Sequence, residues 1–233
     1  VKTAVVTGAS RGIGKAIAAA LTGASIRTFM LARGIDELNR AAAELGNLAQ
    51  PISCDVTDAD AVAAVVLSIT RTTHGAPDIL VNNAGLFPLS SLHEMQVNAF
   101  EQTLAINLVA PFRMTRAFLP AMRTRKSGHI ITLGSVADRY VFPENGAYAA
   151  SKHGQRAMHE VLRQEVQGTG VRASLISPAA TDTSIWDAID PDNRAGFPPR
   201  ARMLRAESVA NAVLWVVSSP DDMNVDELRL SRP

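Results

Sequence analysis

The chain has one cysteine, few aromatic residues and almost no net charge, and each shortage excludes a class of protein. Cys54, alone among 233 residues, cannot close an internal disulfide, which rules out a disulfide-stapled secreted scaffold. It lies in an apolar, strand-like context with no histidine nearby in sequence, so a buried structural thiol is expected rather than a nucleophile. Lys and Arg number 23 against 22 Asp and Glu, and so balanced a chain has no long-range field to gather nucleic acid or an anionic membrane. Any phosphate recognition must then be local. No apolar run reaches the length of a membrane span. Val1 to Thr7 enters a strand pattern directly, without a basic leader or a small-residue cleavage site. The expectation is a soluble, cytoplasmic protein with no nucleic-acid or membrane partner and no metal.

With 47% hydrophobic residues the chain can bury a large core, and its length fits one α/β domain. Short apolar runs recur at Thr3 to Thr7, Arg27 to Leu31, Gln50 to Cys54, Ile79 to Asn82, His129 to Leu133, Arg172 to Ile176 and Val225 to Leu230. Between them lie Ala-rich or amphipathic stretches of helical period: Gly12 to Gly23, Asp36 to Leu45, Asp58 to His74, Asn98 to Arg125, Tyr148 to Gln167 and Ala206 to Val217. This alternation predicts a mostly parallel sheet of about seven strands with helices on both faces. The exception is Thr183 to Arg205, rich in Pro, Arg, Asp and Gly around the isolated Trp186 and Phe197. So long a weakly periodic segment inside a compact domain predicts a functional lid over residues 183–205.

The first strand ends in Thr7-Gly8-Ala9-Ser10-Arg11-Gly12-Ile13-Gly14 and runs straight into an Ala-rich helix. Glycines at a strand-to-helix turn let backbone amides close on a pyrophosphate at the positive end of the helix. Lys15 follows without the adjacent Ser or Thr that would hold magnesium, which excludes a nucleoside-triphosphate loop. The second strand ends in Leu31-Ala32-Arg33, where an NAD enzyme usually has Asp or Glu for the ribose hydroxyls. With no acid there, Arg33 and Arg11 can each present a guanidinium fork to a 2′-phosphate, and NADP(H) is the predicted cofactor.

Asn82-Asn83-Ala84-Gly85 follows the fourth strand, and Ser135 precedes Tyr148-Ala-Ala-Ser-Lys152 by 13 positions. With the glycine turn, these motifs resemble the short-chain dehydrogenase/reductase family from end to end of the chain. The resemblance implies a single Rossmann-type, doubly wound domain. It also implies a catalytic set of Ser135, Tyr148, Lys152 and Asn107, with Ser135 holding the substrate oxygen, Lys152 bonding the nicotinamide ribose and Asn107 completing a water-linked proton relay. Tyr148 and Lys152 lie four apart on one helix and share a face. A phenol titrates near about pH 10, and an ammonium about 4 Å away, worth on the order of 4 kcal/mol, can lower that. Ser135, at a strand end after Gly134, could instead cap a helix.

The same resemblance extends the cofactor site to Gly8, Ser10, Arg11, Gly12, Ile13, Gly14, Arg33, Asp55, Val56, Asn83, Ala84, Gly85, Tyr148 and Lys152. Pro178, Thr181 and Thr183 would meet the carboxamide, although Ala179 and Thr181 depart from the family's usual Pro-Gly-x-Val-x-Thr. Asp55 could equally be a turn residue, and Asn82 would hold the central strands together. Ser135, Phe87, Val141, Phe142 and Trp186 would line the substrate pocket, with Leu86, Pro88 and Val136 beside them. The expected reaction is NADPH-dependent reduction of a ketone or aldehyde carbonyl to an alcohol by hydride transfer, on a small-molecule substrate, in a homodimer or homotetramer. The alternatives are a 3-oxoacyl-carrier-protein reductase, for which the arginines at 113, 116, 123 and 125 would offer a basic face, an NAD-linked alcohol dehydrogenase, and a nucleotide-sensing protein without catalysis.

Overall fold

The structure is a computed structural model and describes all residues, Val1 to Pro233. The chain alternates strand and helix: β1 (Thr3–Thr7), α1 (Gly12–Gly23), β2 (Arg27–Ala32), α2 (Ile35–Leu45), β3 (Ala49–Ser53), α3 (Ala59–Thr73) and β4 (Ile79–Asn82). There follow α4 (Val97–Leu104), α5 (Ala110–Arg125), β5 (Gly128–Leu133), α6 (Gly146–Glu165) and β6 (Val171–Pro178). The chain closes with β7 (Thr181–Asp182), β8 (Leu204–Arg205), α7 (Ala206–Val217) and β9 (Glu227–Leu230).

Seven strands form one parallel sheet in the order β3-β2-β1-β4-β5-β6-β9. This is the doubly wound Rossmann arrangement that the alternation predicts. Two-residue periodicity divides each strand between two cores. Val6 and Ile131 face α1 and α7 with Ile17, Leu21 and Val213, whereas Val5 and Ile130 face α3 and α5 with Ile69, Met114 and Phe118. Both faces of the sheet are therefore dry, and the strands read as unbroken apolar runs. The chain order reverses between β1 and β4, which leaves a crevice at their carboxyl ends. Cys54 is buried, and its thiol is pushed up to about 11 by burial first and then by Asp55 and Asp58.

Local signals account for the helix ends. The Asp58 carboxylate accepts the N–H groups of Asp60 at 2.9 Å and Ala61 at 3.2 Å, capping α3. The expected single helix from Asn98 to Arg125 is corrected: α4 and α5 are joined by a π-helical turn, Ala105 to Val109, centred on Asn107. A buried Asn whose amide is drawn out to partners elsewhere favours such a bulge, and bulges of this kind gather at functional sites. No helix is long and apolar enough to cross a membrane.

Two histidines are buried as neutral rings. On β5, His129 Nε2 lies 2.8 Å from Ser174 Oγ, and on α6, His159 Nδ1 lies 2.9 Å from Thr132 Oγ1. The second nitrogen of each ring is buried without a partner. Burial, with Arg172 near the first and Arg163 near the second, lowers their pKa values to about 3 and about 4. The unfolded chain takes up these protons below about pH 6.5 while the folded chain does not, so stability falls as pH drops through that point. Urea unfolding at pH 5 should show a loss of about 2 kcal/mol per histidine relative to pH 7, and His129→Gln with His159→Gln should flatten that slope.

Candidate active site

The carboxyl ends of β1, β4 and β5 carry the site. In the glycine turn, Gly8 has φ +65°, and a Cβ there would come within 2.9 Å of Ala84 Cα. At Gly14 a Cβ would sit 2.1 Å from the Gly8 carbonyl oxygen, so the turn closes only because that atom is missing. The side chain of Arg11, at the N-cap of α1, makes no capping bond, which leaves the first helical N–H groups facing the crevice. Thr183 closes the other side, 3.3 Å from where a Gly12 Cβ would stand. This cradle of amides at a helix N-terminus fits a dinucleotide pyrophosphate.

Asn83 clasps β1 to β4. Its Nδ2 donates to the carbonyls of Thr7 at 2.8 Å and Gly8 at 3.2 Å, and Thr7 Oγ1 accepts the N–H groups of Asn83 and Ala84 at 3.0 Å. The expectation that Asn82 holds the central strands is therefore corrected. The Asn82 side chain turns the other way and donates to Thr115 Oγ1 on α5 at 3.2 Å. Alternation along the strand explains the difference, because neighbouring side chains point to opposite faces.

Ser135, Tyr148, Lys152 and Asn107 converge beyond β5. Ser135 does cap a turn, Val136 to Asp138, through a 3.1 Å bond from the Ala137 N–H. Lys152, almost fully buried, donates to the Leu133 carbonyl at 2.7 Å and to Gln155 Oε1 at 2.9 Å. Asn107 Oδ1 accepts the Leu86 N–H at 2.8 Å, while Nδ2 donates to the Leu86 carbonyl and to Ser151 Oγ, both at 2.9 Å. Ser151 in turn donates to the Tyr148 carbonyl at 2.7 Å. Asn107 thus ties the loop after β4 to the first turn of α6, a task that needs donor and acceptor in one planar group.

The expectation that an ammonium about 4 Å away lowers the Tyr148 pKa is not met. Lys152 Nζ lies 5.8 Å from the ring centroid and is held by its other partners. Burial raises the phenol above its ordinary value, the Ser135 hydroxyl acts the other way, and Asp138 adds to the rise. Tyr148 therefore stands as a protonated acid. Burial lowers Lys152 to about 8 against the opposing field of Asp138.

Asp138 is a component that the motifs do not reveal. It is 1% exposed, accepts the Ser177 hydroxyl at 2.7 Å and pairs with Arg139, which also bridges to Glu227 on β9. Its place three residues after Ser135 is the one sequence signal that could have found it. Gln155 had a plainer signal, three residues beyond Lys152 on the same helix face.

At the adenosine end, Arg11 and Arg33 are exposed, and neither guanidinium has a partner within the chain. The absence of an acid there is corrected: Glu37 on α2 folds back to accept Ser10 Oγ at 2.9 Å. Asp55 is a turn residue, accepting the Thr57 N–H and hydroxyl at 2.9 and 2.7 Å, bonds that lower its pKa with help from Arg33. The Val56 side chain packs into the core. Ile13 packs against the other core, Gly85 is exposed beside the crevice, and Pro178 ends β6.

Residues 183–205 are ordered around an aromatic cluster. Phe87 lies 4.5 Å, ring to ring, from Tyr148 and 5.2 Å from Trp186; Phe197 lies 5.8 Å from Trp186 and 5.7 Å from Phe142. Trp186 is anchored by a 3.0 Å bond from Nε1 to the Thr181 carbonyl. Val141 does not join this cluster: it is 72% exposed and faces an outer groove shared with Leu92 and His153.

The family model described as short chain dehydrogenase matches residues 2–194, and the chain belongs to that family of oxidoreductases. An uncharacterised oxidoreductase of Staphylococcus saprophyticus is 33% identical over 97% of this chain and 94% of its own. Among solved structures, a metagenomic short-chain oxidoreductase in complex with NADP is 32% identical, with a TM-score of 0.84, covering 100% of this chain and 98% of the other. An alcohol dehydrogenase of the archaeon Thermococcus sibiricus, complexed with 5-hydroxy-NADP, is 30% identical with a TM-score of 0.87 over the same shares.

The asymmetry between the two asparagines can be measured. Asn83→Ala should lower the free energy of urea unfolding by about 2 kcal/mol, as two buried backbone acceptors lose their donor, whereas Asn82→Ala should cost at most about 1 kcal/mol.

Proposed function

We propose that this chain is an NADPH-dependent carbonyl reductase in which Tyr148 protonates the substrate oxygen. The observation that carries this reading is the convergence of a protonated phenol, a serine hydroxyl and a buried ammonium beside the glycine cradle. The bound nicotinamide supplies the hydride. Ser135 and Tyr148 donate to the carbonyl oxygen as negative charge grows on it, and Tyr148 passes its proton to that oxygen. Lys152, held by the Leu133 carbonyl and Gln155, would bond the nicotinamide ribose, and Asn107 keeps the loop and helix around it in register. The ring cluster excludes water, which strengthens each of these interactions. Residues 183–205 act as the lid. A homo-oligomer belongs to the same reading, supported by the exposed apolar residues Val97, Phe112 and Val161 on α4, α5 and α6.

The preference for NADPH rests on the unpaired guanidinium groups of Arg11 and Arg33, the nearby carboxylates of Glu37 and Asp55 being taken up by Ser10 and Thr57. The carrier-protein alternative loses support because Arg113 donates to the Thr57 carbonyl, and Arg125 to those of Ala76 and Pro77, so two of the four arginines are already engaged within the chain.

Calorimetric titration tests the coenzyme. Arg33→Ala should weaken NADPH binding about 10-fold to 100-fold, the equivalent of one charge-assisted contact, and leave NADH binding nearly unchanged; equal wild-type affinity for both coenzymes overturns the assignment. The pH–rate profile tests the chemistry. Asp138→Asn removes the carboxylate that raises both Tyr148 and Lys152, so the alkaline limb of carbonyl reduction should move to lower pH, while Tyr148→Phe should abolish turnover.

A further inference from the structure

We propose that the substrate is an uncharged ketone or aldehyde bearing an aryl group, its ring held among Phe87, Trp186 and Phe197 while its carbonyl faces Ser135 and Tyr148. This inference rests on the reductase reading and narrows it. Aromatic residues are scarce in the chain, 7 Phe, 2 Trp and 2 Tyr, yet Phe142, Phe197, Trp186, Phe87 and Tyr148 form one connected run that ends on the phenol itself.

Their geometry suits a further ring. The contacts are tilted or edge-on, with interplanar angles of 59° to 82°. Phe87, Tyr148 and Phe197 each stay partly exposed, so a guest ring can extend the run with the same kind of contact and gain an electrostatic term that a saturated ring of the same size does not. Behind the rings lie Ile189, Met203 and Leu89, so the wall is apolar in depth as well as at its surface.

Charge is provided for elsewhere. Arg194, stacked 5.5 Å from the Phe197 ring, pairs with Glu144 at 2.5 Å. Arg200 is held by Asp182 at 2.8 Å and Asp187 at 2.6 Å. The Trp186 N–H is already bonded to Thr181. A substrate carboxylate placed against these rings would meet cations that already have partners and would be desolvated without compensation.

The reaction balances with the coenzyme that the reading names. The carbonyl carbon gains a hydrogen and two electrons from NADPH, the C=O π bond becomes a C–O single bond, and the oxygen takes the Tyr148 proton. Tyr148 recovers a proton from water, and NADP+ is the oxidised product.

The test uses the whole enzyme with NADPH and three ketones: phenylacetone, cyclohexylacetone, which has the same skeleton with a saturated ring, and 4-carboxyphenylacetone, which puts a carboxylate on the ring. Phenylacetone should show a kcat/KM about tenfold above cyclohexylacetone, as expected for one or two ring contacts, and further above 4-carboxyphenylacetone. Phe87→Leu should bring the ratio of the first two toward one. Equal turnover of phenyl and cyclohexyl ketones, or a preference for 4-carboxyphenylacetone, overturns the aryl assignment and leaves the reductase reading standing. No NADPH oxidation with any of the three overturns the reductase reading instead. The ring site is then decided by binding alone, in Trp215→Phe, where Trp186 is the one remaining tryptophan. Saturable change of its emission at lower phenylacetone than cyclohexylacetone upholds the ring site; no such difference removes it.

Discussion

Two hydrogen bonds from one amide, Asn83 Nδ2 to the carbonyls of Thr7 and Gly8, set the geometry on which the crevice depends. At the reversal of strand order, β1 and β4 send their chains to opposite faces of the sheet, and the backbone beyond them has no ladder to hold it. The clasp supplies what the ladder cannot. It positions the Gly8 carbonyl, against which Gly14 packs so closely that no Cβ fits. Through Gly14 it fixes the start of α1, and through Gly12 it sets the contact with Thr183.

A second layer of buried polar groups does the same for the reacting end. Asn107, Ser151 and the Tyr148 carbonyl form one chain of bonds, and Lys152 is held by Leu133 and Gln155. Each buried donor in this layer has a defined acceptor, which is what makes polar groups tolerable in so dry a place. Asp138 completes the electrostatics: its carboxylate favours the protonated forms of both Tyr148 and Lys152, and burial favours the neutral form of each. For the phenol the two effects add; for the lysine they oppose, and burial prevails, leaving it lowered to about 8.

The aromatic residues show a division of labour between core and site. Apart from Phe29, Phe118 and Trp186, the buried hydrophobic core uses aliphatic side chains, methionine and the single cysteine. Rings are gathered instead where a guest would be enclosed, on three separate loops: after β4, before α6 and in residues 183–205. Rigid rings confer shape on such a pocket at low entropic cost, since each has only two side-chain torsions to fix.

Periodicity and spacing determined the parallel sheet of about seven strands, the glycine turn and the shared helix face of Tyr148 and Lys152, because these depend on local pattern and on residues close in sequence; Ser135 joined that pair only through the family resemblance. The register of Asn82 against Asn83 was not legible, since a one-residue difference reverses which face a side chain meets. Nor was the Glu37 contact with Ser10, which exists only once α2 has folded against the first turn. The state of Tyr148 was misjudged from the sequence for the same reason. Helical spacing puts Lys152 on the right face, but only the packed structure shows that the ammonium is bound by Leu133 and Gln155 and that burial, rather than that charge, governs the phenol. Pattern along a chain specifies which face a residue occupies; distances, desolvation and competing partners arise only when separate elements close on one another.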